Sequence, residues 1–208
     1  MSNVGDAGES TAGSSIREES WMARGGRQVT LRTVRPADQD GLRSFVDGLS
    51  RESRYYRFMT GGRVADEIIH GFVTHHPQRD VAMVVTVRAE DGAESIVANA
   101  EYVVNAENVA ELAVVVADDW QGQGLGRRLI QRLQQIARTS RLQGMRGDVL
   151  SENRRMLAIM RDCGFATRRN PEDSYLHEVT LSLGEAVHPQ ASKPGTGHWL
   201  PRDWFAEN

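Results

Sequence analysis

The stretch DDWQGQGLGRRLIQRLQQIAR, which runs from Asp118 to Arg138, carries the most informative local pattern of the chain. Three glycines alternate near its start, directly after VAELAVVVA (109–117), an apolar run typical of a buried strand. From Leu125 onward, apolar residues recur at helical spacing and arginine and glutamine residues occupy the opposite face, which predicts an amphipathic helix packed on a sheet. The stretch therefore predicts a strand, a glycine loop and a helix in immediate succession.

The glycine loop precedes a helix N-terminus, where backbone N–H groups are unpaired and carry a partial positive charge. Glycines remove side chains there, so that a phosphate can approach the backbone. The loop lacks the lysine and hydroxyl residue of a Walker loop, and Arg127 stands where a dinucleotide-binding GxGxxG pattern requires glycine. Gln121, Gly124 and Gly126 instead fit a pattern of Gln or Arg, two residues, Gly, one residue, and Gly or Ala. A purely structural glycine turn is the alternative to a phosphate site at this point.

The composition of the 208 residues is ordinary for a globular domain, with 25% charged residues and a net charge of -3. That charge does not predict a nucleic-acid partner. No apolar run approaches the roughly 20 residues that span a bilayer, and the N-terminus shows no apolar secretory segment. Cys163 is the single cysteine, which fits a reducing compartment. We expect a cytoplasmic protein with neither a membrane nor a nucleic-acid partner.

Strand and helix patterns alternate through the middle of the chain. Strands are predicted at 28–34, 80–89, 94–104, 109–117, 144–150 and 174–183. Besides the helix after the glycine loop, helices are predicted at 35–50, 51–59, 64–73 and 153–164. The turn sequences EDGA and NAEN predict an antiparallel meander of the three strands between residues 80 and 117. We expect three regions: a disordered N-terminal arm (1–27), one domain (28–183) and an irregular C-terminal tail (184–208).

With this order of elements, the glycine loop and the later stretch ENRRMLAIMRDCGF (152–165) resemble the GNAT superfamily of acyl-CoA-dependent N-acyltransferases. Asn153, followed by the Gly164 and Phe165 pair at the end of the next helix, looks like the second signature of that family. The resemblance covers about residues 28–183. It implies an α+β GNAT fold, with a mixed, mostly antiparallel central sheet that is flanked by helices and splayed at the strand that binds acyl-CoA.

The resemblance also implies acetyl-CoA as the acyl donor. The residues it assigns to the donor are Val114, Val115 and Val116 through their backbone, then Gln121, Gly122, Gln123, Gly124, Leu125, Gly126 and Arg127 for the pyrophosphate, and Asn153 near the thioester. Asn153 also fits the N-cap of a helix, and one residue can do both. No metal is expected, because His75 and His76 are adjacent and have no clustered carboxylate or cysteine partner.

A narrower resemblance rests on LRTVRPADQDGLRSFVDGLSRESRYYRF (31–58), which is similar to the GNAT domain of bacterial Pat-type protein lysine acetyltransferases. Those enzymes carry a glutamate at the start of the strand before the glycine loop, which is Glu111 here. A carboxylate on a strand covered on both sides is costly unless it is paired or used, and partial burial raises its pKa toward that of a general base. A solvated or salt-bridged glutamate is the alternative, and Glu101 on the preceding strand is the substitute candidate.

The sequence departs from many GNAT enzymes at Met160, where the family often places a tyrosine that protonates the departing thiolate. Tyr102 is a distant alternative that better fits a packing role. We therefore predict direct transfer in a ternary complex, with Glu111 as the base and the proton donor to the thiolate unassigned.

Three functions stay open. The first is acetylation of a protein lysine, with an acyl-CoA synthetase as the first substrate to try, and an open groove would favour it. The second is acetylation of a small-molecule amine, which a closed acidic pocket would favour. The third is a non-catalytic acyl-CoA sensor, which a paired Glu111 far from the thioester would favour.

Overall fold

Eight strands form one mixed sheet in the computed structural model, which describes residues 16–74 and 79–184. The strands are β1 (Glu19–Met22), β2 (Gln28–Thr33), β3 (Val81–Arg88), β4 (Glu94–Val104), β5 (Val109–Val116), β6 (Gly144–Leu150), β7 (Ala166–Arg169) and β8 (Leu176–Ser182). Their order in the sheet is β1-β2-β3-β4-β5-β6-β8-β7. Only the β5–β6 pair is parallel among these strands. The predicted α+β class with a mostly antiparallel sheet is confirmed, as is the β3–β4–β5 meander.

Five α-helices cover the two faces of the sheet. They are α1 (Gln39–Gly48), α2 (Arg51–Phe58), α3 (Asp66–Val73), α4 (Leu125–Thr139) and α5 (Arg154–Asp162). One apolar cluster joins α4 and α5 to the first face, and a second joins α1, α2 and α3 to the opposite face. The central strand β5 contributes to both, because Val114 belongs to the first cluster and Val115 to the second. No helix within the described ranges is long and apolar enough to cross a membrane.

Two short strands were not predicted from the sequence. Strand β1 lies inside residues 1–27, for which a disordered arm was expected, and Ala23 after it is buried in the core. Strand β7 forms the edge beyond β8, which was expected to close the sheet. Each has only four residues, too few for an alternating pattern to stand out, and each is held by pairing with its neighbour. Residues 1–15 and almost all of the predicted tail, from residue 185 onward, lie outside the described ranges.

The parallel pair β5–β6 separates after only three registered positions. Val109, Ala110 and Glu111 pair with β6, whereas β5 continues beside β4 as far as Val116. Strand β6 meanwhile continues along β8 to Leu150. The main-chain edge of β5 that faces β6 therefore has no strand partner beyond Glu111 among the described residues. The predicted splay of the sheet is confirmed, and it opens a space beside Val114, Val115 and Val116.

Candidate active site

A cavity of about 1040 Å³ occupies the space where β5 and β6 diverge. It is bounded by the second half of β5, the glycine loop, the start of α5 and the faces of α2 and α3 that lie over the sheet. Most of the residues predicted to bind the donor line it: Val114, Val115, Val116, Gln121, Gly122, Gly124, Leu125, Gly126, Arg127 and Asn153. Gln123 does not line it, because its side chain accepts a hydrogen bond from the Gly25 N–H and donates one to the Asp119 carbonyl.

The glycine loop takes the conformation that the sequence pattern requires. Gly122 and Gly124 have φ angles of 80° and 89°, in the left-handed region that other residues rarely adopt. Gly124 is the N-cap of α4, and no side chain caps that helix. The first backbone N–H groups of α4 are therefore left for another acceptor. This arrangement can bind an anion through the backbone.

The side chain of Gln121 connects the loop to three other elements. Its Nε2 donates to Ser53 Oγ on α2 at 3.1 Å and to the Val116 carbonyl on β5 at 3.2 Å. Its Oε1 accepts from Arg155 on α5 at 2.9 Å. The Gln121 backbone N–H donates to the Asp118 carbonyl at 3.2 Å. Gln121 therefore fixes the position of the loop.

Sequence reasoning missed Arg155. One Nη atom of Arg155 lies 3.2 Å from where a Cβ on Gly122 would be, so the guanidinium closely approaches the loop. The sequence did offer one sign of a role for Arg155, which is its position in the first turn of α5. A cation there interacts unfavourably with the helix dipole, so its presence suggests another function.

Asp118 was also missed. Its carboxylate accepts hydrogen bonds from the backbone N–H and the hydroxyl of Ser50, at 2.8 and 2.7 Å, and from the Ser53 hydroxyl at 2.7 Å. Burial raises the pKa of Asp118, but these hydrogen bonds outweigh burial and the pKa is lowered. Asp118 thereby joins the N-terminus of α2 to the segment that leads into the glycine loop.

Asn153 and Arg127 each have a contact within the chain. Asn153 Oδ1 accepts from the Met156 N–H at 3.0 Å, so the N-cap interpretation is confirmed. Arg127 forms an ion pair with Asp162 on α5. Whether either side chain also contacts the donor stays a prediction.

Two carboxylates lie on the same face of the sheet at the far end of the cavity. Glu111 is opposite Val103 and Glu101 is opposite Ala113, which places the two glutamates diagonally across β4 and β5. The Glu101 side chain is 19% exposed and is paired with Arg57 of α2. The Glu111 side chain is 23% exposed and lies 3.6 Å from Arg146 of β6, so the salt-bridged alternative for Glu111 is observed.

Comparison with known proteins decides the family. The Acetyltransferase (GNAT) family model matches residues 47–165, more than half of the chain. The chain belongs to the GNAT family. It is an acetyltransferase and uses acetyl-CoA as its acyl donor.

Relatives of this GNAT protein differ in what their names say they act on. Acetyltransferase PA5475 of Pseudomonas aeruginosa is 31% identical over 187 residues, which are 87% of this chain and all of that protein. The GNAT domain of S. lividans PAT superposes with a TM-score of 0.71 at 24% identity, over 80% of this chain and 97% of that one. Spermidine N-acetyltransferase from Vibrio cholerae, in complex with CoA and spermine, superposes with a TM-score of 0.59 at 21% identity. The match covers 74% of this chain and 95% of that one. At these identities the two solved structures show the GNAT fold alone.

Within this GNAT site, Tyr102 is unsuited to protonate a thiolate. It is 1% exposed and belongs to the core cluster under α4, on the face of the sheet opposite Glu101 and Glu111. Burial raises its pKa, and its hydroxyl is hydrogen-bonded with Ser140. The packing role expected for Tyr102 is therefore supported.

Tyr56, which sequence reasoning did not single out, is a tyrosine at the cavity. Its hydroxyl donates to Glu52 at 3.0 Å, and this hydrogen bond is the main reason that its pKa is raised. Met160, at the position of the family's tyrosine, is buried beside the cavity. Among the described residues no three His, Cys, Asp or Glu side chains group as metal ligands. His75 and His76 lie outside those residues, and the absence of a metal stays a prediction.

Proposed function

We propose that this GNAT acetyltransferase acetylates the ε-amino group of lysine on a protein, with Glu111 as the general base. The observation that carries the proposal is the position of Glu111 and Glu101 on one wall of an open cavity. Val116 is five positions beyond Glu111 on the extended strand, which is about 17 Å at the usual rise per residue. The carboxylates thus lie away from the loop suited to phosphates, at the end where a cationic acceptor would enter.

The charges that line the cavity support a cationic acceptor. Among the described residues, seven carboxylates line the cavity: Glu52, Asp80, Glu101, Glu111, Asp118, Asp148 and Glu152. Five of the described arginines line it as well: Arg24, Arg57, Arg127, Arg154 and Arg155. The excess of carboxylates favours the approach of an ammonium group.

The donor fits the residues at the glycine loop. The left-handed Gly122 and Gly124, the uncapped start of α4 and the unpaired edge of β5 provide backbone groups for an anion and for an extended arm. In this proposal the amides from Gln121 to Gly126, with Arg127, hold the pyrophosphate, the backbone from Val114 to Val116 holds the arm, and Asn153 lies near the thioester. Acetyl-CoA supplies a thioester carbonyl as the electrophile.

The chain's own groups supply the rest of the chemistry. A lysine side chain has an ordinary pKa of about 10.4 and is almost fully protonated at neutral pH, so it must lose a proton before it can react. In this proposal Glu111 accepts that proton directly or through water, and Arg146 lies 3.6 Å from its carboxylate. A backbone N–H near Val114 or Val115 stabilises the developing oxyanion in the same proposal. Transfer is direct within a ternary complex.

A small amine is the second candidate, and the acidic lining of the cavity favours it. The cavity opens to solvent, which leaves room for a protein loop and is the reason for preferring a protein lysine. The ion pair of Glu111 with Arg146 is the observation that would fit the third candidate, a non-catalytic sensor.

One assay separates the three candidates. The full chain is mixed with radiolabelled acetyl-CoA and, in parallel, with an acyl-CoA synthetase, a whole-cell lysate and spermidine, beside the Glu111→Gln variant. We expect labelled protein bands that disappear with the variant. If only spermidine is labelled, the acceptor is a small amine and not a protein lysine. Binding of CoA without transfer to any acceptor would support the sensor.

A further inference from the structure

The N-terminal hairpin of β1 and β2 is attached to the outside of the glycine loop. Between the strands, the Arg27 guanidinium lies 3.6 Å from the ring centre of Trp120, a residue that lines the cavity. The Gly25 N–H donates to the side chain of Gln123 within the loop, at 3.3 Å. The hairpin turn is therefore held against the loop by two contacts directly after Arg24.

Strand β1 is in turn fixed to α4. Glu19 forms ion pairs with Arg128 and Arg132, at 3.5 and 3.2 Å, and the Arg128 guanidinium lies 4.0 Å from the ring centre of Trp21. These contacts occupy two of the arginines of α4. The position of the hairpin thus does not depend on Arg24.

Arg24 differs in its surroundings from Arg127, which pairs with Asp162, and from Arg155, which donates to Gln121. It is exposed and lines the same cavity as Gly122 and Gly124. No ion pair or hydrogen bond joins its side chain to another of the residues that the structure describes. Arg24 also lies outside residues 47–165, so the family pattern assigns it no role.

We propose that Arg24 binds a phosphate group of acetyl-CoA, so that the N-terminal hairpin is part of the donor site. A guanidinium beside a backbone anion site adds charge-assisted hydrogen bonds that the loop amides alone cannot provide. The group that Arg24 binds is a phosphate, and on acetyl-CoA this is either the pyrophosphate or the 3′-phosphate. The proposal concerns the donor only and holds for a protein or a small-molecule acceptor.

The test is calorimetric binding of CoA to the full chain and to Arg24→Gln, with no acceptor present. We expect Arg24→Gln to weaken CoA binding by about threefold to tenfold, with a smaller loss for Arg24→Lys, which keeps the charge. The difference should shrink at high salt, because exposed charges are screened. Arg138→Gln, an exposed arginine at the other end of α4, is the matched control and should bind as the unmodified chain does.

Dephospho-CoA identifies the phosphate. If Arg24→Gln and the unmodified chain bind dephospho-CoA equally, Arg24 contacts the 3′-phosphate; if the difference persists, it contacts the pyrophosphate. Equal binding of CoA by both proteins would overturn the proposal. The melting temperature without ligand should be the same for Arg24→Gln and the unmodified chain. If it differs, CoA binding by Arg24→Lys replaces that of Arg24→Gln as the test.

Discussion

Glu101 and Glu111 lie diagonally across two neighbouring strands on one face of the sheet, and a different arginine contacts each. Arg57 of α2 pairs with Glu101, whereas Arg146 of β6 reaches Glu111 only at 3.6 Å. Both carboxylates line the cavity, so substitution of each in turn distinguishes their roles.

Glu111→Gln should lower kcat/KM by about 10²- to 10³-fold, because it removes the proton acceptor and keeps the shape of the side chain. Glu101→Gln is the matched variant and should cost about tenfold or less by the same reasoning. Steady-state kinetics with a fixed acceptor measure both, and CoA binding should be unchanged in each. A larger loss for Glu101→Gln would assign the base to Glu101.

Gly124→Ala should weaken CoA binding and destabilise the fold by about 1–2 kcal/mol, because a Cβ at a φ of 89° is strained. Calorimetry with CoA and thermal unfolding measure the two effects. Gly48→Ala is the control: Gly48 lies in α1 with open space around it and no positive φ, so the substitution should be neutral or stabilising by about 0.5 kcal/mol. Unchanged CoA binding by Gly124→Ala would show that the loop conformation is not needed.

Asp118→Asn should reduce stability at neutral pH but not in acid. The pKa of Asp118 is lowered by folding, so its carboxylate stabilises the fold above the ordinary value of 3.8, and this contribution is lost as the pH falls through the folded pKa. Asp118 is exposed, so we expect a loss below about 1 kcal/mol at pH 7. Urea unfolding of both proteins from pH 7 to pH 3 measures it.

Asp119→Asn is the control for that series. The side chain of Asp119 makes no hydrogen bond to another described residue, so its variant should follow the unmodified chain at every pH. A constant difference between Asp118→Asn and the unmodified chain down to pH 3 would contradict the role given to the carboxylate.

Tyr102→Phe should lower the free energy of unfolding by about 1 kcal/mol, because a buried hydroxyl loses its hydrogen bond with Ser140. It should leave kcat within about twofold, because the α4 side of the sheet is remote from the carboxylates. Tyr56→Phe is the informative comparison, because both tyrosines line the cavity but Tyr56 lies on α2, on the face of the sheet that carries the two carboxylates. A large drop in kcat for Tyr102→Phe would return the role of proton donor to that residue.

The sequence predicted those parts of the fold that repeat a local pattern. The three meander strands and α4 have long periodic runs, and the glycines at 122 and 124 mark a conformation that few other residues adopt. The contacts of Gln121, Asp118 and Arg155 could not be predicted, because each joins elements far apart in the chain. Strand β1 was missed because its four residues show no clear alternation, and its attachment to α4 depends on Glu19 and Trp21 meeting distant arginines.

The three-residue pairing between β5 and β6 has a consequence for how the domain moves. Within the described residues it is the only ladder between strands β1–β5 and strands β6–β8, so two sub-sheets share one short hinge and are otherwise joined by helix packing. A donor that lies along the free edge of β5 would limit the angle between them. Binding of the donor should then slow amide hydrogen exchange in β6 and β8, relative to the chain without donor, although these strands lie far from the phosphates.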